Sequence, residues 1–237
     1  MTKLTLFLMP VILAAQPAFE AATVKPADPQ ANGFSTRMSA TAYELRNCSL
    51  RQCIETAYGL PEYAVIGPSW LESVHFDVVA KLPMGAPRRD IGAMLQGLLA
   101  ERLQLQTHTE TRDVPGFVLT VAKGGPRMPE SAPDSMGGTS RGPSTVRCRH
   151  CEVARFIEEL TGSLGRPVVD QTSLPGVYDF DVRWTPDRAS AAPGEAAEPT
   201  TSLFSAMEEQ LGLKLQARKV PQRILVVDSA VRAPVEK

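Results

Sequence analysis

Side chains that do chemistry are scarce in this chain. Its 237 residues include three histidines, His75, His108 and His150, scattered along the sequence. No serine or cysteine stands in the strand-to-helix context of a nucleophile elbow, which leaves a His-activated hydrolase little to build on. Excess charge of one sign is missing too. There are 25 Lys and Arg against 26 Asp and Glu, a net charge of −1 with no basic run, which argues against nucleic acid or an anionic membrane surface as partner. Past the N-terminus no apolar stretch approaches the ~20 residues needed to cross a bilayer. The four cysteines are Cys48, Cys53, Cys148 and Cys151, all too far from the N-terminal apolar run to carry a lipid anchor.

What is present begins with Lys3, an apolar run from Leu4 to Ala15, and small residues at Ala14, Ala15 and Ala18. This reads as a cleavable secretory signal over 1–18, and the mature protein is expected to be exported, periplasmic or extracellular. The rest repeats itself. A helix near Leu50, a strand at Phe76-Asp77-Val78, a second helix and paired strands recur as a helix near Val153, Phe180-Asp181-Val182, a helix at 203–211 and strands near Leu215 and Ile224. Two α+β repeats are expected at 19–123 and 144–237, each with two helices on a mainly antiparallel sheet, joined by a Gly/Pro/Ser-rich linker at 124–143.

Finer expectations follow from pattern. Residues 19–25 form an opening strand. Ser49 starts a helix that buries Leu50, Cys53, Ile54 and Ala57 and stops at Gly59. Trp70 is buried in a turn, and His75 to Lys81 is a strand. Asp90 caps a helix striped with Ile91, Met94, Leu95, Leu98 and Leu99, and a hairpin spans 103–110 and 117–122. Tyr178, Phe180, Val182 and Trp184 alternate with polar residues on a half-buried strand, and 188–200 is a surface loop.

Export makes disulfides the first reading of the cysteines: Cys48 with Cys53 and Cys148 with Cys151, or one of the two other pairings. Cys148-x-x-Cys151 before a helix resembles a redox motif, but the βαβ setting of such motifs is missing. A Cys151/His150 nucleophile is disfavoured because sequence neighbours rarely face each other. Asp179 and Asp181, two apart on a strand, could serve acid/base work, yet any wet strand face looks the same. Asp170, Thr172 and Gly176 mark a turn between strands, and this turn is the candidate binding surface.

Several phrases in fixed order, among them Phe19 to Pro26, Ala57-Tyr58-Gly59, Pro68-Ser69-Trp70-Leu71, Phe76 to Lys81, Leu98 to Leu103 and Gly165 to Phe180, resemble an uncharacterised family of secreted proteins of soil Acidobacteria. The resemblance implies the stand-alone form of a domain also found fused to BlaR-like membrane peptidases. It supplies no catalytic residue. More distantly, each half resembles the short N-terminal module of secretins and TonB-dependent receptors, which implies protein binding, with sheet edges able to accept a partner strand. The expected function is therefore a non-enzymatic exported module that binds an envelope protein or peptide, without cofactor or metal. The alternatives are a sensor closing on a small ligand and an exported thiol or carboxylate enzyme.

Overall fold

Ser49 shows how local sequence sets the first helix. Its hydroxyl accepts from the Gln52 backbone N–H while the Gln52 side chain accepts from the Ser49 N–H, a reciprocal cap that satisfies two donors the helix cannot. Gly59, at φ 62°, closes the other end in the left-handed region. A computed structural model describes this chain over residues 17–31, 33–132, 134, 136–185 and 202–235. Most of the expected signal segment and the expected loop at 188–200 lie outside the described residues.

The chain is mixed α+β and divides into two units, Met1–Thr109 with Leu225–Lys237, and Glu110–Ile224. The first unit holds β1 (Ala21–Pro26), β2 (Ser35–Met38), β3 (Ala42–Ser49), α1 (Leu50–Tyr58), β4 (Val65–Ile66), β5 (His75–Lys81) and α2 (Ile91–Leu103). Its main sheet runs β1-β5-β3-β2, antiparallel throughout. The apolar faces of α1 and α2 and the inner face of this sheet supply a core that includes Leu45, Leu50, Ile54, Leu71, Phe76, Leu95 and Leu99. β6 (Gln106–Val121) begins in this unit and continues into the second.

The second unit continues with β7 (Gly138–Gly142), β8 (Thr145–Glu152), α3 (Val153–Leu164), β9 (Val168–Asp170), β10 (Val177–Arg183) and α4 (Leu203–Ala206). α4 runs on into a π-helical turn, Met207–Leu211. The main sheet here is β10-β8-β7, again antiparallel. Phe156, Leu160, Phe180, Val182, Met207 and Leu213 lie in its core, with the rings of Phe156 and Phe180 edge to face at 4.5 Å. β11 (Leu213–Ser229) starts in the second unit and ends in the first, where it pairs in parallel with β4. In the second unit β6 pairs in parallel with β9.

Several expectations need correction. Residues 103–110 and 117–122 do not form a hairpin, because β6 runs unbroken through Pro115-Gly116, and β11 likewise runs through Pro221. Pro-Gly reads as a turn in isolation. Here the glycine is needed for close approach, since a Cβ at Gly116 would sit 2.7 Å from the Pro167 carbonyl oxygen and 2.6 Å from Val220 Cγ2. The stretch 124–143 is not only a linker. It buries Met128 in the second core, bridges Glu130 to Tyr178 and contains β7. Asp90 makes no side-chain cap and closes a 3₁₀ turn at Arg88–Asp90 instead. Leu71, not Trp70, is the buried residue of its turn, and Trp70 lies half-buried with the Arg232 guanidinium 5.0 Å from its ring.

Candidate interaction edge

Both main sheets carry a β-bulge where a strand is about to become a helix. In β3 the register slips between Leu45 and Cys48, with Asn47 at φ 49°, and in β8 it slips opposite Tyr178/Phe180, with His150 at φ 48°. The extra residue reverses the in/out alternation. Cys48 therefore follows Tyr43 and Leu45 into the first core, and Cys151 joins Val146 and Cys148 in the second. A carboxylate on the neighbouring strand holds each bulge. The Asn47 N–H donates to Asp77 at 2.9 Å and the His150 N–H donates to Asp179 at 2.8 Å. Asp77 and Asp179 thus make like bonds, whereas the repeated Phe-Asp-Val sets Asp77 against Asp181.

Asp179 also accepts from the Ser131 hydroxyl, and that bond, followed by the His150 N–H, holds its carboxyl below the usual range. Asp181 is committed elsewhere, to Arg183 and Arg147. The Arg183 bond first, then Arg147, lowers its carboxyl to about 2. The two aspartates therefore have separate structural partners. The Cys151 S–H lies within donating reach of the Arg149 and Gly138 carbonyls, at 3.4 and 3.6 Å. His150 Nδ1 is buried without a hydrogen-bond partner. His75 Nδ1 lies 3.3 Å from the Ser73 carbonyl, and His108 pairs with Asp228 at 2.8 Å. Gly138 to Gly142 spells the letters of a Gly-x-Ser-x-Gly elbow around Ser140, but it lies along β7, paired residue by residue with β8. It lacks the sharp strand-to-helix turn that exposes a nucleophile.

Cys53, on the buried face of α1, lies with its Sγ 3.8 Å from the Cys48 carbonyl oxygen, and Cys148 and Cys151 share the core of the second unit. The structure carries all four as buried free thiols. The candidate turn is less available than its sequence suggests. Thr172 is buried, with its N–H and hydroxyl both donating to Asp170 Oδ1, so of the three candidate residues Asp170 and Gly176 are the exposed ones.

The feature with most freedom to bind is the outer edge of β10. In the first unit the edge of β5 away from β3 is filled by β1, from Ala21 opposite Lys81 to Pro26 opposite Phe76. In the second unit, among the described residues, no strand takes that place. The Asp179 N–H donates to the Pro129 carbonyl and the Ser131 N–H to Val177 at one end. At the other end the Gln210 side chain accepts from the Arg183 N–H and donates to its carbonyl. Asp181 lies between these two clasps. Pro129 and Ser131, in a segment that holds two methionines, Met128 buried and Met136 exposed, were not singled out in the sequence; Gln210 lies in the helix expected at 203–211.

Residues 51–230 match a family model described as protein of unknown function, DUF3738. The chain belongs to the DUF3738 family. No curated protein and no solved structure matches it. The DUF3738 match takes in α1 from its second residue, the other three helices and the whole of β10, and β1 to β3 precede it. Among the described residues no cluster of three His, Cys, Asp or Glu could hold a metal ion, and no helix is long and apolar enough to cross a membrane.

Proposed function

We propose that this DUF3738 protein is an exported, non-catalytic interaction module of two related α+β units. In this reading an extended segment of an envelope protein or peptide pairs with the outer edge of β10. The observation that carries it is the difference between the sheets: β1 completes one at β5, while in the other, among the described residues, two short clasps leave the middle of β10 unpaired by any strand. A strand added there gains main-chain hydrogen bonds, and side chains of alternate residues set specificity. The like order of hairpin, helix, short strand, strand and helix in both units and their paired bulges support reading them as copies of one module.

The test blocks the edge without emptying the core. Proline is tolerated on edge strands where the N–H faces outward, and it removes the donor a partner strand would use. Mature wild-type protein, Asp181→Pro and Asp181→Asn are crosslinked to an envelope extract after near-UV circular dichroism has shown that each is folded. One stoichiometric partner with wild type and Asp181→Asn but not with Asp181→Pro is expected. A partner retained equally by all three contradicts the edge. A second reading, a small-ligand sensor, draws on a cavity of about 530 Å³ in the second unit, beside β7 and the start of α3. Its sign is a rise in melting temperature with one compound of a metabolite panel.

A further inference from the structure

The structure assigns two disulfide bridges to this protein, Cys48 to Cys53 and Cys148 to Cys151, one pinning a sheet to a helix and the other spanning a β-bulge. The inference goes beyond the β10 edge, and of the functional reading it needs export alone, which supplies an oxidising compartment. Four observations carry it. All four thiols are buried, at 0 to 4 % exposure. Cys48 and Cys53 share the first core, with Cys53 Sγ 3.8 Å from the Cys48 carbonyl oxygen, and Cys148 and Cys151 share the second. Both pairs depend on the bulges, since without the extra residue Cys48 and Cys151 would point out of their cores. The pairs are also close in sequence, so each can close early in folding, before the chain buries it.

The chemistry is thiol–disulfide exchange with a small or protein disulfide as oxidant. One thiolate of the pair attacks the oxidant's disulfide, forms a mixed disulfide and releases one thiol. The second thiolate then attacks the mixed disulfide, forms the internal bridge and releases the other thiol. Two protons and two electrons leave the pair, and the oxidant is reduced to two thiols. In the folded reduced protein this is slow. The hydrogen bond to Cys48 and burial raise the Cys53 thiol, and burial followed by Cys151 raises Cys148, so little thiolate is available near neutral pH.

Trypsin reads the connectivity directly, because Arg51 and Arg149 lie between the partners. The full chain is refolded in a buffer of oxidised and reduced glutathione, alkylated without reductant and digested. Peptides 47–51 joined to 52–81, and 148–149 joined to 150–155, with no alkylated cysteine, are expected. Cys53→Ser is expected to abolish the first linked pair and keep the second, and Cys148→Ser the reverse. Four alkylated thiols, glutathione left on the protein, or links between the two units overturn the assignment. A single linked pair overturns it for the unit that lacks one. None of these outcomes depends on whether β10 binds a partner.

Discussion

Removing one ring from the second core tests the packing that supports β10. Phe156 on α3 is 1 % exposed and meets Phe180 of β10 edge to face at 4.5 Å, so Phe156→Ala takes out the side chain joining that helix to that strand. The lost ring surface, on the order of 120 Å² at about 25 cal/mol per Å², contributes roughly 3 kcal/mol. A cavity term of about 24 cal/mol per Å³ brings the total to ~3–5 kcal/mol. Of this, ~0.5–1.5 kcal/mol belongs to the ring pair itself and is read from a double-mutant cycle with Phe180→Leu. Urea unfolding followed by Trp184 fluorescence in a Trp70→Phe background reports on the second unit. At a slope of about 2 kcal/mol per M the midpoint falls by roughly 2 M. A cost below ~1 kcal/mol, or no coupling with Phe180, would show that α3 does not rest on β10 and refute the packing from which the edge was argued.

Ser49→Ala removes one side of the reciprocal cap on α1 and is expected to cost about 1 kcal/mol by urea unfolding read through Trp70 in a Trp184→Phe background. Gly116→Ala drives a methyl into the Pro167 carbonyl and Val220 and is expected to cost ~1–3 kcal/mol. A neutral result would mean that β6 does not run straight past Pro167. The Asp181 carboxyl is held at about 2 rather than 3.8, so its ion pairs stabilise the folded state fully above pH 3.8 and are lost as pH falls through about 2. The urea midpoint of wild type should fall across that window, and Asp181→Asn should flatten the slope. An unchanged slope would remove the Arg183 and Arg147 pairs from the account.

Much of the fold was legible because its signals are local. The Ser49 to Gly59 helix, the His75 to Lys81 strand and the alternation of Tyr178, Phe180 and Val182 need no partner to be read. The misread elements are those where distant contacts override local preference. Pro115-Gly116 carries the letters of a turn, yet Pro167 and Val220 hold it extended. Residues 129–131 look like tether until Val177 and Asp179 take their backbone groups. The bulges were also hidden, since positive φ at Asn47 and His150 is set by carboxylates some thirty residues downstream. Spacing could not show that Cys48 turns into the core that holds Cys53, because the bulge does that. The open edge of β10 was not legible at all, because an edge is defined by the strand that fails to cover it.

Hydrogen–deuterium exchange of the mature protein, alone and saturated with the partner found by crosslinking, tests the central claim most directly. Strand addition predicts that the Asp181 amide, between the Pro129 and Gln210 clasps, becomes protected on binding, while the β5 edge, already covered by β1, is unchanged. Protection confined to other segments, or a saturated complex in which β10 exchanges as it does in the free protein, would contradict it.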